Sequence, residues 1–156
     1  MRILEFDLPI EPKAQMRARH NSVNGFSVTH KATKQKHREL QLMELLEKHK
    51  PKKPLEGEIS LVVVCNMPIP DSKPQWWKGA AISGMIKHTS KPDLDNMIKH
   101  IKDCLQTMGF YKNDSQVCHL IADKRYSETP SWEIGIIEQR IVKKKKEYDE
   151  IMKGGK

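Results

Sequence analysis

The chain has 156 residues and a formal net charge of +8, with 37% hydrophobic and 31% charged residues. This composition is typical of one globular domain, and no apolar run approaches the ~20 residues that a membrane-spanning helix needs. Acidic residues among the first seven argue against a secretory signal, so we expect a cytoplasmic protein without a membrane partner. The excess of positive charge favours an anionic partner such as nucleic acid.

Hydrophobic periodicity and turn residues predict the order of the secondary-structure elements. They are a strand at 4–8, a hairpin turning at Asn24–Gly25, a helix at 33–49, a buried strand at 58–65, a short helix at 76–82, a long helix at 92–108, and strands at 116–126 and 131–138. A turn at 128–130 joins the last two strands, and neighbouring strands are expected to pair as hairpins. The sequence therefore predicts a single compact α+β domain over residues 1–138, with a mixed or antiparallel sheet and two main helices. Residues 139–156 form a charged C-terminal extension.

The second long helix carries the most informative residues. Its apolar residues fall on one stripe that would face the core, namely Leu94, Met97, Ile98, Ile101, Leu105 and Met108. Asp95 and Lys99 lie four residues apart on the opposite face, and Asp93 stands at the helix entrance. A purely structural interpretation exists, in which Asp93 caps the helix and Asp95 forms an ordinary ion pair with Lys99.

Asp114 follows this helix in the loop before the next strand. A strand packed beside the helix would bring Asp114 near Asp93 and Asp95, where three carboxylates repel one another unless a divalent cation neutralises them. Oxygen ligands without Cys or His favour Mg²⁺ or Mn²⁺, and such a cation suits phosphodiester hydrolysis. Lys99 could then offset negative charge in the transition state or position a water molecule. The three cysteines and seven histidines show no zinc-site spacing.

Several motifs together resemble the RusA-like family of Holliday-junction resolvases over roughly residues 1–138. The motifs are Lys91–Asn96, Lys99, Asp103, Asn113–Val117 and Lys124–Tyr126. The resemblance implies a RusA-like fold and a homodimer that binds four-way DNA junctions and cuts them by paired nicking, with Mg²⁺ or Mn²⁺ as cofactor. It assigns the catalytic and metal-binding aspartates to Asp93, Asp95 and Asp114, and the essential lysine to Lys99. Where the family usually has Arg-Pro-Arg, this chain has Arg17-Ala18-Arg19.

Basic residues around these motifs are candidates for DNA phosphate contacts, and they are Lys13, Arg17, Arg19, Lys87 and Lys91. Trp76 and Trp77 could stack on unpaired bases, although packing in the core or in a dimer interface is the simpler interpretation. Two alternatives to a junction resolvase stay open. One is a non-catalytic protein that binds branched DNA, and the other is a flap or duplex nuclease.

Overall fold

The computed structural model describes residues 1–15, 19–23, 26–30, 33–139, 142 and 144–154, and of residues 19–23, 26–30 and 33–35 it describes the backbone only. The strands are β1 (Arg2–Leu8), β2 (Arg19–Val23), β3 (Phe26–His30), β4 (Glu58–Pro68), β5 (Val117–Ser127) and β6 (Ser131–Gln139). The helices are α1 (Thr33–Glu47), α2 (Gln75–Ile82), α3 (Leu94–Thr107) and α4 (Lys145–Gly154), with a 3₁₀ turn at Asp114–Gln116. The predicted elements are thus confirmed, with α1 and α3 as the two main helices.

β4 is one of the two inner strands of the four-stranded sheet, and it carries a long apolar run. Ile59, Leu61, Val63 and Cys65 alternate along it and are each 0% exposed. The four-stranded sheet has the order β1-β6-β4-β5, in which β5 is parallel to β4 and the other pairs are antiparallel. The prediction of an α+β fold with a mixed or antiparallel sheet is confirmed, and the sheet is mixed.

The expected hairpin between the last two strands is wrong, because β4 lies between β5 and β6. A strand buried on one face along its whole length gains most when it is paired on both edges, and β4 has that character. β5 carries charged residues from Asp123 to Arg125 and takes an edge position, which charged side chains tolerate well. Its parallel pairing with β4 follows from the long connection through α2 and α3, since parallel strands need a crossover.

The predicted apolar stripe of α3 is confirmed and forms much of the core. Met97, Ile101 and Leu105 are 0% exposed, and they share one cluster with β4, with Trp132 and Ile136 of β6, and with Leu42 and Leu46 of α1. Burying a side chain of this size contributes about 1.5–3 kcal/mol, so α3 is held firmly against the sheet. This packing leaves the opposite face of α3 directed away from the core.

The remaining predictions concern the hairpin, the C-terminal extension and the absence of a membrane-spanning helix. β2 and β3 pair as the predicted hairpin, whose Asn24–Gly25 turn lies outside the described residues. α4 forms within the charged extension and buries none of its residues, while the domain boundary at residue 138 stays a prediction. Among the described helices, none has the length and apolar character required to cross a membrane.

Glu138, near the end of β6, connects this strand to β1 and to the segment before β4. Its carboxylate pairs with the Arg2 guanidinium of β1, and its Oε1 also accepts the backbone N–H groups of Glu56 (2.7 Å) and Gly57 (2.9 Å). The hydrogen bond from Arg2, followed by those backbone donors, lowers the pKa of Glu138 from 4.5 to about 2. The ionised form of Glu138 therefore stabilises the fold.

The lowered pKa predicts a pH-dependent stability. The stabilisation is fully present above pH 4.5 and is lost as the pH falls towards about 2. The reason is that Glu138 takes up a proton more readily in the unfolded protein than in the folded protein, so acid favours unfolding. Glu138→Gln should reduce the free energy of unfolding at pH 7 by about 1 kcal/mol, allowing for solvent screening. Denaturant titrations should show this difference closing at low pH. An equal difference at every pH, or the same loss in the exposed-turn variant Glu128→Gln, would contradict this role.

Candidate active site

The N-terminal end of α3 presents Asp93 and Asp95 towards solvent. Asp93 is the N-cap residue, in an extended conformation with φ −72° and ψ 138°, and its backbone carbonyl accepts the N–H of Met97 at 3.2 Å. Its carboxylate forms no capping hydrogen bond. The structural interpretation, in which the Asp93 side chain serves to cap the helix, is therefore not supported.

The second part of that structural interpretation also fails. Among the described residues, the ion pairs within 4.0 Å include none between Asp95 and Lys99. Both side chains are exposed on the face of α3 opposite its buried stripe. An acid and a base placed one turn apart, yet without a mutual ion pair, are available to bind a third group.

A cleft of about 660 Å³ lies between α3 and β5 and gathers these side chains. Its polar lining consists of Asp95, Lys99, Lys102 and Asp103 from α3 and Asp114 from the 3₁₀ turn. Its apolar wall consists of Leu94 and Ile98 from α3 and Leu120 and Ala122 from β5. The cleft therefore combines three carboxylates and two ammonium groups with an apolar wall.

Three of the four predicted catalytic residues, Asp95, Lys99 and Asp114, line this cleft, and Asp93 does not. In the described part of the chain, no group of three or more His, Cys, Asp or Glu side chains is close enough to hold a metal ion. Asp93, Asp95 and Asp114 are thus not assembled as a three-carboxylate site, and their role as metal ligands stays a prediction.

Sequence reasoning gave no role to Lys102 and left Asp103 out of the metal ligands, yet both line the cleft. The signal was present in the helical spacing. Asp103 lies four residues after Lys99, and Lys102 lies three residues after it, so both share the exposed face of α3. The sequence could not show that β5 would enclose this face as a cleft.

Asp114 is held in place by its neighbour Gln116. The Gln116 side-chain oxygen accepts the backbone N–H groups of Lys112 and Asn113, each at 2.9 Å, while its amide nitrogen donates to the carbonyls of Leu55 and Gly57, each at 3.0 Å. The Asn113 side chain completes a capping box by accepting the N–H of Ser115 at 2.9 Å. The turn that carries Asp114 is therefore fastened to the chain segment that leads into β4.

Comparison with known proteins identifies the family of this chain. A family model described as endodeoxyribonuclease RusA matches residues 9–137. The chain belongs to the RusA endodeoxyribonuclease family. It is 34% identical over 140 residues to the uncharacterized protein YqaN of Bacillus subtilis, covering 88% of this chain and 98% of that protein. It is also 34% identical over 94 residues to the crossover junction endodeoxyribonuclease rusA of Lactococcus phage r1t, covering 60% of this chain and 66% of the phage protein.

The predicted DNA-binding residues of this RusA-family chain are placed unevenly. Lys87 and Lys91 are exposed in the segment that leads into α3. Lys13 forms an ion pair with Glu11 at 3.1 Å. Arg17 lies outside the described residues, and Arg19 begins β2. Contacts of these residues with DNA stay predictions.

The two neighbouring tryptophans have different surroundings. Trp77 packs edge-on against Tyr126, with ring centroids 5.2 Å apart, and the Lys73 ammonium lies 5.0 Å from its ring centroid. Trp76 is 71% exposed. Trp77 is therefore packed within the chain, in agreement with the simpler interpretation, whereas Trp76 is not packed within the chain.

The Gln116 contacts predict a stability effect that reaches the site. Gln116→Leu keeps the size of the side chain but removes all four hydrogen bonds, and it should lower the free energy of unfolding by about 2–4 kcal/mol. Denaturant unfolding measures this loss, and Gln75→Leu at the exposed start of α2 is the matched control. A loss in Gln116→Leu no larger than that of the control would show that these contacts do not hold the turn.

Proposed function

We propose that this protein is a Mg²⁺-dependent endodeoxyribonuclease that resolves four-way (Holliday) DNA junctions, with Mn²⁺ able to replace Mg²⁺. It acts as a homodimer, makes paired nicks across the junction, and serves DNA recombination and repair in the cytoplasm. The observation that supports the proposal best is the cleft of a RusA-family chain in which Asp95, Asp114 and Lys99 come together.

The chemistry of the cleft fits a hard divalent cation. The available ligands are carboxylate oxygens, and no histidine or cysteine lines the cleft among the described residues. Mg²⁺ is commonly held by one or two carboxylates together with water and substrate phosphates, so a cage of three protein carboxylates is not required. Asp95 and Asp114 are the ligands that we propose, and Asp93 at the N-cap would join them when DNA is bound.

A cation held by these carboxylates would supply Lewis-acid chemistry, which would polarise the phosphate and activate a water molecule. The side chains of the chain do the remaining work. The Asp95 and Asp114 carboxylates fix the position of the charge, and the Lys99 ammonium stabilises the negative charge that develops on the phosphate oxygens. Lys102, one turn further along the same face, supplies a second positive charge for the DNA backbone.

Junction symmetry and net charge support the remaining parts of the proposal. A four-way junction has approximate two-fold symmetry, so paired nicks need two identical active sites in a C2 dimer. The net charge of +8 supplies attraction for the phosphates of the four arms. Lys13, Arg17, Arg19, Lys87 and Lys91 are the residues proposed to contact those phosphates.

The proposal is tested by cleavage of a synthetic four-way junction. The wild-type protein should make paired nicks with Mg²⁺ or Mn²⁺ and none with EDTA. Asp95→Asn should lose at least about a thousandfold in rate, because it removes a ligand charge at the reacting phosphate. Its junction affinity should stay the same or rise, because one negative charge near the phosphates is gone.

The matched control is Asp71→Asn, in the exposed turn before α2, which should cut at the wild-type rate. Junction binding without cleavage in any metal would favour the non-catalytic alternative. Equal cleavage of linear duplex or flap substrates would favour a nuclease with another substrate. Full cleavage in EDTA would rule out the metal-dependent mechanism.

The role of Lys99 predicts a different response from that of the general basic charge. Lys99→Ala should reduce the single-turnover rate about a hundredfold or more at saturating enzyme, while junction affinity changes little because many cations share the binding. Deleting residues 143–156 should do the reverse, weakening binding most at low salt and leaving the saturated rate unchanged. A wild-type rate for Lys99→Ala would remove Lys99 from the catalytic set.

A further inference from the structure

The helix-facing row of β5 continues beyond the wall of the cleft to Lys124. Leu120 and Ala122 line the cleft, and Lys124 is the next residue on the same face of the strand. It lies beside Cys65 of β4, whose side chain is 0% exposed, and Lys124 itself is half-buried. Hydrogen-bond acceptors for the ammonium group stabilise a lysine whose side chain is partly shielded from water, because burying an uncompensated charge is costly.

The acceptors of Lys124 are two backbone carbonyls in the segment that leads into α3. The Lys124 ammonium donates to the carbonyl oxygens of Ser90 and Pro92, each at 2.9 Å. The Pro92 carbonyl carbon is bonded directly to the backbone nitrogen of Asp93. The lysine of β5 therefore holds the chain one peptide bond away from the predicted catalytic aspartate.

Asp93 has few other restraints. Its carboxylate forms no capping hydrogen bond, so the path of the backbone decides where this side chain lies. Within the described part of the chain, the hydrogen bonds of Lys124 are the ones that tie residues 89–92 to the sheet. The His88 ring also packs against Tyr126 of β5, with ring centroids 4.8 Å apart, but His88 precedes residues 89–92 and does not restrain them directly.

We propose that Lys124 is a positioning residue of the active site, which acts through the Ser90 and Pro92 carbonyls to fix Asp93 at the entrance of α3. The proposal rests on the proposed nuclease function. A lysine ammonium suits this role because its hydrogen bonds carry a full charge and are about twice as strong as neutral ones. Lys124 need not touch the DNA or a metal ion, since its effect passes through the backbone.

The test compares Lys124→Met, which keeps the length of the side chain but removes the ammonium, with wild type. The single-turnover rate on a four-way junction at saturating enzyme and saturating Mg²⁺ should fall between about tenfold and a hundredfold, the cost of a displaced catalytic group. Junction affinity should stay within about threefold, since binding spreads over many cations. Amide hydrogen exchange should quicken across residues 89–95 and stay unchanged in β4 and β6.

Two further variants keep the test decisive. Lys48→Met removes the same charge from the exposed turn directly after α1. Because α1 packs near β1, at the opposite edge of the sheet from β5, this variant should change neither the rate nor the exchange at residues 89–95. Lys124→Arg keeps the charge and can donate to both carbonyls, so its rate should lie within about threefold of wild type. It also provides the comparison if Lys124→Met does not fold.

The proposal is overturned if Lys124→Met cuts at the wild-type rate, or if its exchange at residues 89–95 is unchanged. It is equally overturned if Lys124→Arg slows cleavage as much as Lys124→Met. Failure of the proposed function is distinguishable, because the wild-type protein would then not cut the junction at all. In that case hydrogen exchange alone would still decide whether Lys124 holds the segment before Asp93.

Discussion

The burial of one stripe of α3 against the sheet is the constraint on which the candidate site depends. Met97, Ile101 and Leu105 are fully buried among the side chains of β4, β6 and α1. Side chains of this size each contribute about 1.5–3 kcal/mol, so a rotation of the helix would be strongly unfavourable. Because residues four apart share a helix face, fixing the buried stripe also fixes Asp95, Lys99 and Asp103 on the exposed face. The hydrophobic core thus determines the direction of the charged groups.

The topology of the sheet turns this exposed helix face into a cleft. β5 returns parallel to β4 after α3 and takes the sheet edge, where Leu120 and Ala122 form the wall opposite the helix. The 3₁₀ turn before β5 supplies Asp114, and its Gln116 contacts reach back to the start of β4. Lys124 then links the same strand to the segment before Asp93. β5 therefore forms one wall of the cleft, directly follows the turn that carries Asp114, and is hydrogen-bonded to the segment before Asp93.

Much of this arrangement could be predicted from the sequence, because local periodicity carries it. The stripe of α3 and the shared face of Asp95 and Lys99 follow from helical spacing alone. The position of β5 could not be predicted, since a turn at 128–130 suggests a hairpin with β6, whereas the apolar β4 occupies the place between them. The contacts of Lys124 and of the Gln116 amide nitrogen could not be predicted for a similar reason, because the carbonyls that accept these hydrogen bonds lie more than 30 residues away in the chain. Such contacts depend on the assembled sheet and leave no periodic signal.

The central claim is that the cleft between α3 and β5 holds the catalytic cation against a DNA phosphate. The most direct test is anomalous diffraction from Mn²⁺ in crystals of the protein bound to a four-way junction, with Lys99→Ala used to slow cleavage. The account predicts an anomalous peak bonded to the carboxylates of Asp95 and Asp114 and to a phosphate oxygen, with Asp93 drawn towards it. A well-ordered junction with no peak in this cleft, or with the peak at another set of residues, would contradict it.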